Sequence, residues 1–275
     1  MADFTEQDLS GARFERVSLR NASFSQVLLN DVTMRAVDLS GADIRAARLH
    51  GARLRGAELH NVEISGELVN VVVNGVDIVP LVERELNRLT PERGKMRPDD
   101  VKGFREAWAI LALLWNSTIQ RAQSLPAEAL HASVHGEWSF IETLRHLSFA
   151  SAAWVGRMIL GDPSPWHPLD LPWDEAPGWE GIPWDREARP TLDVVLALRR
   201  ERQAMVEGVI ASLTDEQLAS QVSQTEPGWP QLESFPFKTC LMIVLNEEWE
   251  HRRYAERDLT ALGASEAARE TPNAR

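Results

Sequence analysis

The spacing of large apolar residues changes abruptly along this chain of 275 residues. In the first 66 residues a large apolar side chain recurs at every fifth position without a break. Ala or Val stands two positions before twelve of these thirteen residues, and Gln7 is the exception. An unbroken period of five residues predicts a repeat architecture. The series is Phe4, Leu9, Phe14, Leu19, Phe24, Leu29, Met34, Leu39, Ile44, Leu49, Leu54, Leu59 and Ile64.

A period of five fits neither common element. On an α-helix five residues rotate by about 140°, so the large side chains would circle the axis. On a strand an odd period would place them alternately on opposite faces. A square coil accommodates the pattern, with five residues on each side, a turn at each corner, and both the large and the small residue pointing inward. The positions between them are then free to be polar.

The triplets Ala2-Asp3-Phe4 and Ala42-Asp43-Ile44 match the pattern A(D/N)LXX. Through this pattern residues 1–66 resemble the pentapeptide-repeat family. The resemblance implies a right-handed quadrilateral β-helix of roughly three coils, a solenoid whose open ends need covering. It also implies a structural module or a docking surface for another protein.

Some members of that family mimic DNA and bind topoisomerases, and the charge of the repeats speaks against this role here. Residues 1–66 contain eight Arg or Lys and nine Asp or Glu, a net charge of −1. A DNA mimic needs a strongly negative surface. His50 and His60 occupy outward repeat positions, where we expect them to be solvated.

The repeat ends after Ile64, and residues 67–98 form a junction. Val69–Ile78 contains Asn74-Gly75 between apolar runs, which predicts a β-hairpin. This hairpin could cap the β-helix. Val79–Leu89 has helical spacing, and a polar linker with Pro and Gly follows up to a domain boundary near residue 95.

The remaining chain has the 3–4 spacing of amphipathic helices. A capping box, Ser139-x-x-Glu142, opens the second helix, Thr191 is a candidate N-cap of the third, and Thr214-x-x-Gln217 starts a short extra turn. These elements predict a four-helix bundle over 99–262 and a disordered tail over 263–275. The whole chain is thus predicted to be an α+β two-domain protein, a β-helix followed by an all-α bundle. The helices are expected at 99–124, 140–160, 192–212 and 238–262.

The crossover segment, residues 162–190, is unusually rich in proline and tryptophan, with seven and four. Loops this long are functional or disordered, and tryptophans are costly to leave in water. Two interpretations stay open: a packed strap, or an aromatic wall or lid over a pocket. The candidates for a pocket wall are Trp166, Trp173, Trp179, Trp184 and Tyr254.

A candidate metal site lies on two of the helices. Glu247 and His251 are four residues apart, so they stack on one helix face, and Ile243 suggests that this face begins in the core. If the second helix faces the fourth, His146 completes a 2-His-1-carboxylate set for Zn, Ni, Mn or Fe. The alternative is a plain Glu–His hydrogen bond at the surface. Glu142 lies four residues before His146, but its capping role explains it better.

Residues 99–262 resemble the DinB/YfiT-like superfamily of four-helix bundles. The resemblance is carried by Gly136-Glu137-Trp138-Ser139, by His146-Leu147, and by the His-bearing fourth helix. It implies a divalent metal held by one His of helix two and an HxxxH pair of helix four. His146 and His251 match the outer ligands, whereas the middle position is Glu247. Either Glu247 replaces the imidazole as a ligand, or the site has lost its metal.

The resemblance further implies a transferase or isomerase that uses a low-molecular-weight thiol such as bacillithiol, mycothiol or glutathione. No catalytic residue beyond the ligands is predicted. Cys240 lies in an apolar stretch, where a buried thiol is inert. His131, His135 and His167 lack partners at ligand spacing. A second hypothesis is a non-catalytic scaffold that binds a small ligand, docks a protein or forms a homodimer.

Composition narrows the function classes. The net charge of −12 disfavours binding to nucleic acid, which needs clustered Lys and Arg. The chain has one cysteine and lacks a long uncharged apolar stretch or a recognisable signal peptide. We therefore expect a cytoplasmic protein that does not contact the membrane. All ten tryptophans lie after residue 107, so the two parts of the chain differ in their chemistry.

Overall fold

The computed structural model describes most of the chain. The described residues are 4–19, 21–22, 24, 27–44, 47–174, 176–178, 182–224, 228–231 and 234–270, the last six by their backbone alone. The chain divides into two compact units, residues 1–65 and residues 66–275.

The backbone of the first unit repeats with the period of the sequence. Hydrogen-bonded turns recur along it, the first closed by the Ala12 N–H donating to the Leu9 carbonyl at 2.9 Å. Left-handed residues also return at five-residue spacing, so the chain turns once in each pentad whose corner is among the described residues. These residues are Glu6, Gly11, Arg16, Asn21, Asp31, Ala36, Gly41, Gly51, Gly56, Asn61 and Gly66.

The apolar series of this unit is not enclosed. Its thirteen large side chains are 42–71% exposed, from Leu9 to Ile64. Among the described residues, the backbone hydrogen bonds of the unit span three positions, so they close local turns and do not join one coil to the next. The expectation that these side chains point into a closed core is therefore not confirmed. The unit shows the corners of a coil without its packed interior.

The junction is ordered. Strands β1 (Val72–Val73) and β2 (Val76–Asp77) pair antiparallel. The two-residue turn between them, Asn74-Gly75, has the two positive φ angles that a type I′ hairpin requires. Helix α1 (Val79–Leu89) follows, and then a 3₁₀-helix, Pro91–Met96, in place of an irregular linker. The Arg93 guanidinium donates to both Glu83 carboxylate oxygens at 2.7 Å, which ties the 3₁₀-helix to α1 and lowers the pKa of Glu83.

Long helices build the rest of the second unit. They are α2 (Val101–Gln123), α3 (Phe140–Ser151), which continues as a π-helix over Ala152–Ile159, α4 (Leu192–Ser212) and α6 (Phe237–Glu270). A 3₁₀-helix (Ala127–His131) precedes α3. The short helix α5 (Asp215–Leu218) and the antiparallel pair β3 (Gln221–Ser223) and β4 (Ser234–Pro236) connect α4 to α6.

Helix α6 runs eight residues beyond its predicted end at 262. Residues 263–270 are mostly Ala, Glu and Arg, which favour a helix even without packing. The predicted tail therefore begins in a helix, and residues 271–275 lie outside the described residues. No helix in the described ranges combines the length and the apolar character needed to span a membrane.

The predicted helix starts are largely correct. Ser139 and Glu142 form the capping box of α3, and Thr214 and Gln217 form that of α5. Thr191 stands at the N-cap of α4, but its side chain accepts no capping bond there. Asp100, which the sequence analysis did not single out, caps α2 by accepting from the Gly103 N–H at 2.7 Å.

The buried cores lie where the long helices pack against each other. Burial of large apolar side chains of this kind supplies most of the stabilisation of a helical domain. One cluster includes Phe104, Trp108, Leu111, Val206, Leu241, Leu245 and Trp249. Another includes Trp115, Ile141, Leu144, Leu147, Val195, Ala255 and Leu259. Residues 140 to 153 of α3 are buried almost throughout, so polar groups on this helix must find partners inside the protein.

Candidate metal centre

His146 is held in a fixed orientation by the crossover segment. The residue lies in the middle of α3 and is 8% exposed. Its Nδ1 lies 2.9 Å from the Leu171 carbonyl oxygen. A carbonyl oxygen can only accept a hydrogen bond, so the proton of the neutral ring belongs on Nδ1. The lone pair on Nε2 is then free to bind a cation.

Glu247 and His251 meet this nitrogen from α6. The Glu247 Oε2 atom lies 3.3 Å from His146 Nε2 and 3.1 Å from His251 Nε2. One ligand atom from each of the three residues lies within 4.8 Å of the others. Glu247 and His251 are one helical turn apart, as their spacing predicts. The three residues selected from the sequence thus converge across two helices, although His146 and Glu247 are 101 positions apart.

Opposing effects set the ionisation state of Glu247. Burial raises the pKa of Glu247, but hydrogen bonds and the charges of His146 and His251 oppose this and leave it well below its ordinary value. The carboxylate is therefore ionised. The lowering belongs to the state in which the imidazoles are charged and donate to this carboxylate. In the neutral tautomer with the proton on Nδ1, the lone pair of His146 Nε2 faces the carboxylate, and two acceptors at this distance repel each other unless a cation lies between them. That cation can be a proton or a metal ion.

Two of the three donor separations fit a metal ion, those between the Glu247 oxygen and each imidazole nitrogen. Two donors that each lie about 2.1 Å from one ion are separated by about 3.0 Å at a right angle and about 3.4 Å at a tetrahedral angle. The observed 3.1 and 3.3 Å fall in this range. Two imidazole nitrogens and one carboxylate oxygen suit the borderline metals, and three protein ligands leave positions for water or substrate.

Trp138 is part of this centre and was missed as a site residue. Its ring centroid lies 4.6 Å from that of His146 and 5.8 Å from that of His251, with which it stacks at 15°. Its Nε1 donates to Asp174 Oδ1 at 2.9 Å. The signal was present, because Trp138 directly precedes the capping residue of the helix that carries His146.

The aromatic residues proposed as a pocket wall gather near the centre. Trp166, Trp173 and Trp184 surround Phe149, with ring centroids at 5.9, 6.3 and 5.5 Å. Phe149 in turn lies 5.9 Å from the His146 ring.

Tyr254 meets His251 edge-on at 6.0 Å. Trp179 lies outside the described residues. The described tryptophans pack on Phe149 of α3 and Tyr254 packs on His251 of its own helix, and their role as the wall of a substrate pocket stays a prediction.

The other candidates take no part in the set. Cys240 is fully buried, and this burial raises the pKa of its thiol to about 12, so it is not a thiolate near neutral pH. Glu142 is engaged in its capping box. His167 accepts from the Leu169 N–H, and burial and Arg202 lower its pKa. His50 and His60 are exposed.

Comparison with known protein families matches both parts of the chain. The pentapeptide-repeat model matches residues 2–35 and 34–66, and the DinB superfamily model matches residues 110–255. Searches of curated proteins and of solved structures give no match. The DinB match covers more than half of the chain and contains His146, Glu247 and His251. The chain therefore belongs to the DinB superfamily and carries a pentapeptide-repeat segment before its DinB domain.

Proposed function

We propose that the DinB domain binds one divalent metal ion, Zn, Ni, Mn or Fe, through His146 Nε2, the Glu247 carboxylate and His251 Nε2. One observation carries the proposal: a carboxylate oxygen lies within 3.3 Å of two imidazole nitrogens, and the other nitrogen of one ring is already bound to the Leu171 carbonyl. A divalent ion satisfies all three lone pairs at once.

We further propose a thiol-dependent transferase or isomerase acting on a small molecule. A bound divalent ion would lower the pKa of a thiol or a water molecule and hold its anion. The protein would supply the rest. Leu171 orients His146, the carboxylate reduces the net charge of the centre, and the rings of Trp138 and Tyr254 shield two of the ligands from water.

Metal analysis of the full chain, purified without a His-tag, tests the metal site. We expect about one equivalent of metal and a fall in melting temperature on chelation, because the ion binds only the folded state. His146→Ala should lose the metal. His131→Ala is the matched control, since this histidine lies in the 3₁₀-helix before α3, outside both the set and the crossover segment. If the wild type and the control variant both lack stoichiometric metal, the proposal is wrong.

The alternative is a non-catalytic scaffold whose centre has lost its metal. It is favoured by the strong lowering of the Glu247 pKa, because a protonated imidazole pairs with this carboxylate without any metal. In that case chelation leaves the melting temperature unchanged, while Glu247→Gln lowers it.

The two family matches support two further proposals about the fold. We propose that the repeats close into a right-handed quadrilateral β-helix that docks a partner protein, and that the long helices form a four-helix bundle. We also propose a cytoplasmic protein able to form a homodimer. Light scattering on the full chain measures its oligomeric state. A monomer at micromolar concentration would contradict the proposed homodimer.

A further inference from the structure

We propose that the crossover segment, residues 162–190, is thermodynamically coupled to the metal centre. Metal binding and docking of the segment on α3 stabilise each other. Two consecutive residues of α3, Arg145 and His146, make the connection, and Arg145 acts as a positioning residue. This inference rests on the proposed metal site and adds its regulation.

Arg145 is a buried cation devoted to the backbone of this segment. Its residue is 1% exposed, and Nε donates to the Leu169 carbonyl at 2.9 Å. Nη1 donates a hydrogen bond of 2.8 Å to the Ala188 carbonyl, and Nη2 donates to the Asp185 carbonyl. One guanidinium thus binds the segment at Leu169 and again near its C-terminal end. Its planar fork donates from three separate nitrogens and so reaches carbonyls on different sides, whereas the three donors of an ammonium share one nitrogen.

His146 meets the same stretch one residue later. The Leu171 carbonyl accepts from its Nδ1, while the Leu171 N–H lies 3.4 Å from the Arg145 carbonyl. Leu169 and Leu171 therefore both bind α3, with Asp170 between them. The partner that orients a metal-binding histidine is thereby placed by Arg145.

The segment is anchored on two further sides. From α4, Arg202 donates to the Pro165 carbonyl at 2.7 Å. Asp174 accepts from Trp138, whose ring lies against both histidines. The segment therefore touches the centre through a carbonyl behind His146 and through an indole beside it. Displacing it would free Nδ1 of His146 and shift Trp138.

This arrangement makes the coupling reciprocal. With the segment docked, His146 keeps the tautomer and the ring orientation that present Nε2 to Glu247. With a metal bound, Nε2 cannot carry the proton, so Nδ1 must, and its bond to the Leu171 carbonyl is strengthened. Any factor by which docking raises metal affinity is the factor by which metal favours docking.

Two matched variants of the full chain test the role of Arg145. Arg145→Lys keeps the charge but cannot span the carbonyls. Arg105→Lys is the control, because Arg105 also binds carbonyls, those of Ile210, Ala211 and Leu213 at the end of α4. We expect Arg145→Lys to weaken Zn²⁺ binding by about 10- to 100-fold and to change the visible absorption of bound Co²⁺. Arg105→Lys should change neither. Equal affinities of the two variants would overturn the proposal.

Hydrogen–deuterium exchange of the wild type gives a second test that needs no variant. The amides of His167, Leu169, Asp170 and Leu171 are hydrogen-bonded within the segment or to α3, so their exchange reports docking. Zn²⁺ should slow this exchange about as much as Arg145→Lys weakens affinity. Metal binding without this protection refutes the coupling and leaves the metal site intact. If the wild type binds no metal, the proposed function fails and the coupling falls with it.

Discussion

The two units of this chain obtain their order in opposite ways. In the repeats, each pentad with a described corner carries its own turn, and the carboxylate of Asp38 accepts from the backbone and side chain of Ser40, two positions away. In the helical unit, the centre joins residues 101 positions apart and depends on a carbonyl from a third segment. Local order is visible in a periodic sequence. A site assembled from distant segments is visible only where each contributor carries its own chemical signal.

The largest expected effect sharpens this contrast at Glu247. Glu247→Ala removes the oxygen shared by both histidines, so the full chain should lose stoichiometric metal. Glu247→His restores the imidazole that the family pattern places there, and it should retain metal. Elemental analysis after dialysis measures both. Equal metal content in wild type and Glu247→Ala would show that the carboxylate is not a ligand.

Truncating one leucine in each unit can break the comparison. Leu111 is 1% exposed in the helical core, and Leu111→Ala should lower the free energy of unfolding by about 2–5 kcal/mol. Leu29 is 51% exposed in the repeats, and with this exposure Leu29→Ala should cost within about 0.5 kcal/mol, whereas the closed β-helix proposed above would bury Leu29 and raise the cost to about 2 kcal/mol or more. Urea denaturation followed by circular dichroism measures both units, whereas tryptophan fluorescence reports the second alone. A cost above about 2 kcal/mol at Leu29 would demonstrate the closed β-helix.

Two aspartates extend the contrast to electrostatics. Asp38 lies at the surface of the repeats, where hydrogen bonds from Ser40 lower its pKa. Asp170 is fully buried in the crossover segment, and desolvation raises its pKa to about 7 against the opposing charges of Arg202 and Arg145, with Glu201 adding to the rise. The folded state thus binds a proton at Asp170 that the unfolded state releases above about pH 4.

Stability should therefore fall as pH rises from about 4 to 7, and Asp170→Asn should remove part of this dependence. The loss in the wild type is at most about 4 kcal/mol, since each pKa unit corresponds to about 1.4 kcal/mol. Urea denaturation in the presence of a chelator, at pH 5 and pH 8, measures it in both proteins. Asn keeps an acceptor for the His167 N–H, which makes it a conservative control. Identical pH dependence would show that Asp170 stays ionised when folded.

Much of the fold follows from the sequence, and the reasons for its limits are physical. The starts of α3 and α5 are correct because Ser139 and Thr214 satisfy backbone groups within four residues. The three predicted residues come together partly because a helix places Glu247 and His251 on one face. The contacts of Arg145 could not be predicted, since a guanidinium that binds carbonyls leaves no residue pattern. The exposure of the large apolar side chains in the repeats could not be derived either. It depends on contact between successive coils, and the five-residue period of the sequence does not specify that geometry.

Two glycines provide the smallest and most local comparison. Gly41 lies in a repeat corner at φ +73°, where an L side chain is strained, so Gly41→Ala should destabilise the repeats by about 1 kcal/mol. Gly208 lies within α4 with ordinary helical backbone and no heavy atom within 4 Å of an added Cβ. Gly208→Ala should therefore stabilise the helical unit by about 0.5–1 kcal/mol, because Ala loses less conformational entropy on folding. Circular dichroism for the first variant and tryptophan fluorescence for the second measure the two changes. Opposite signs confirm that the corners hold their left-handed backbone in solution, whereas stabilisation by both would mean that residue 41 leaves that conformation.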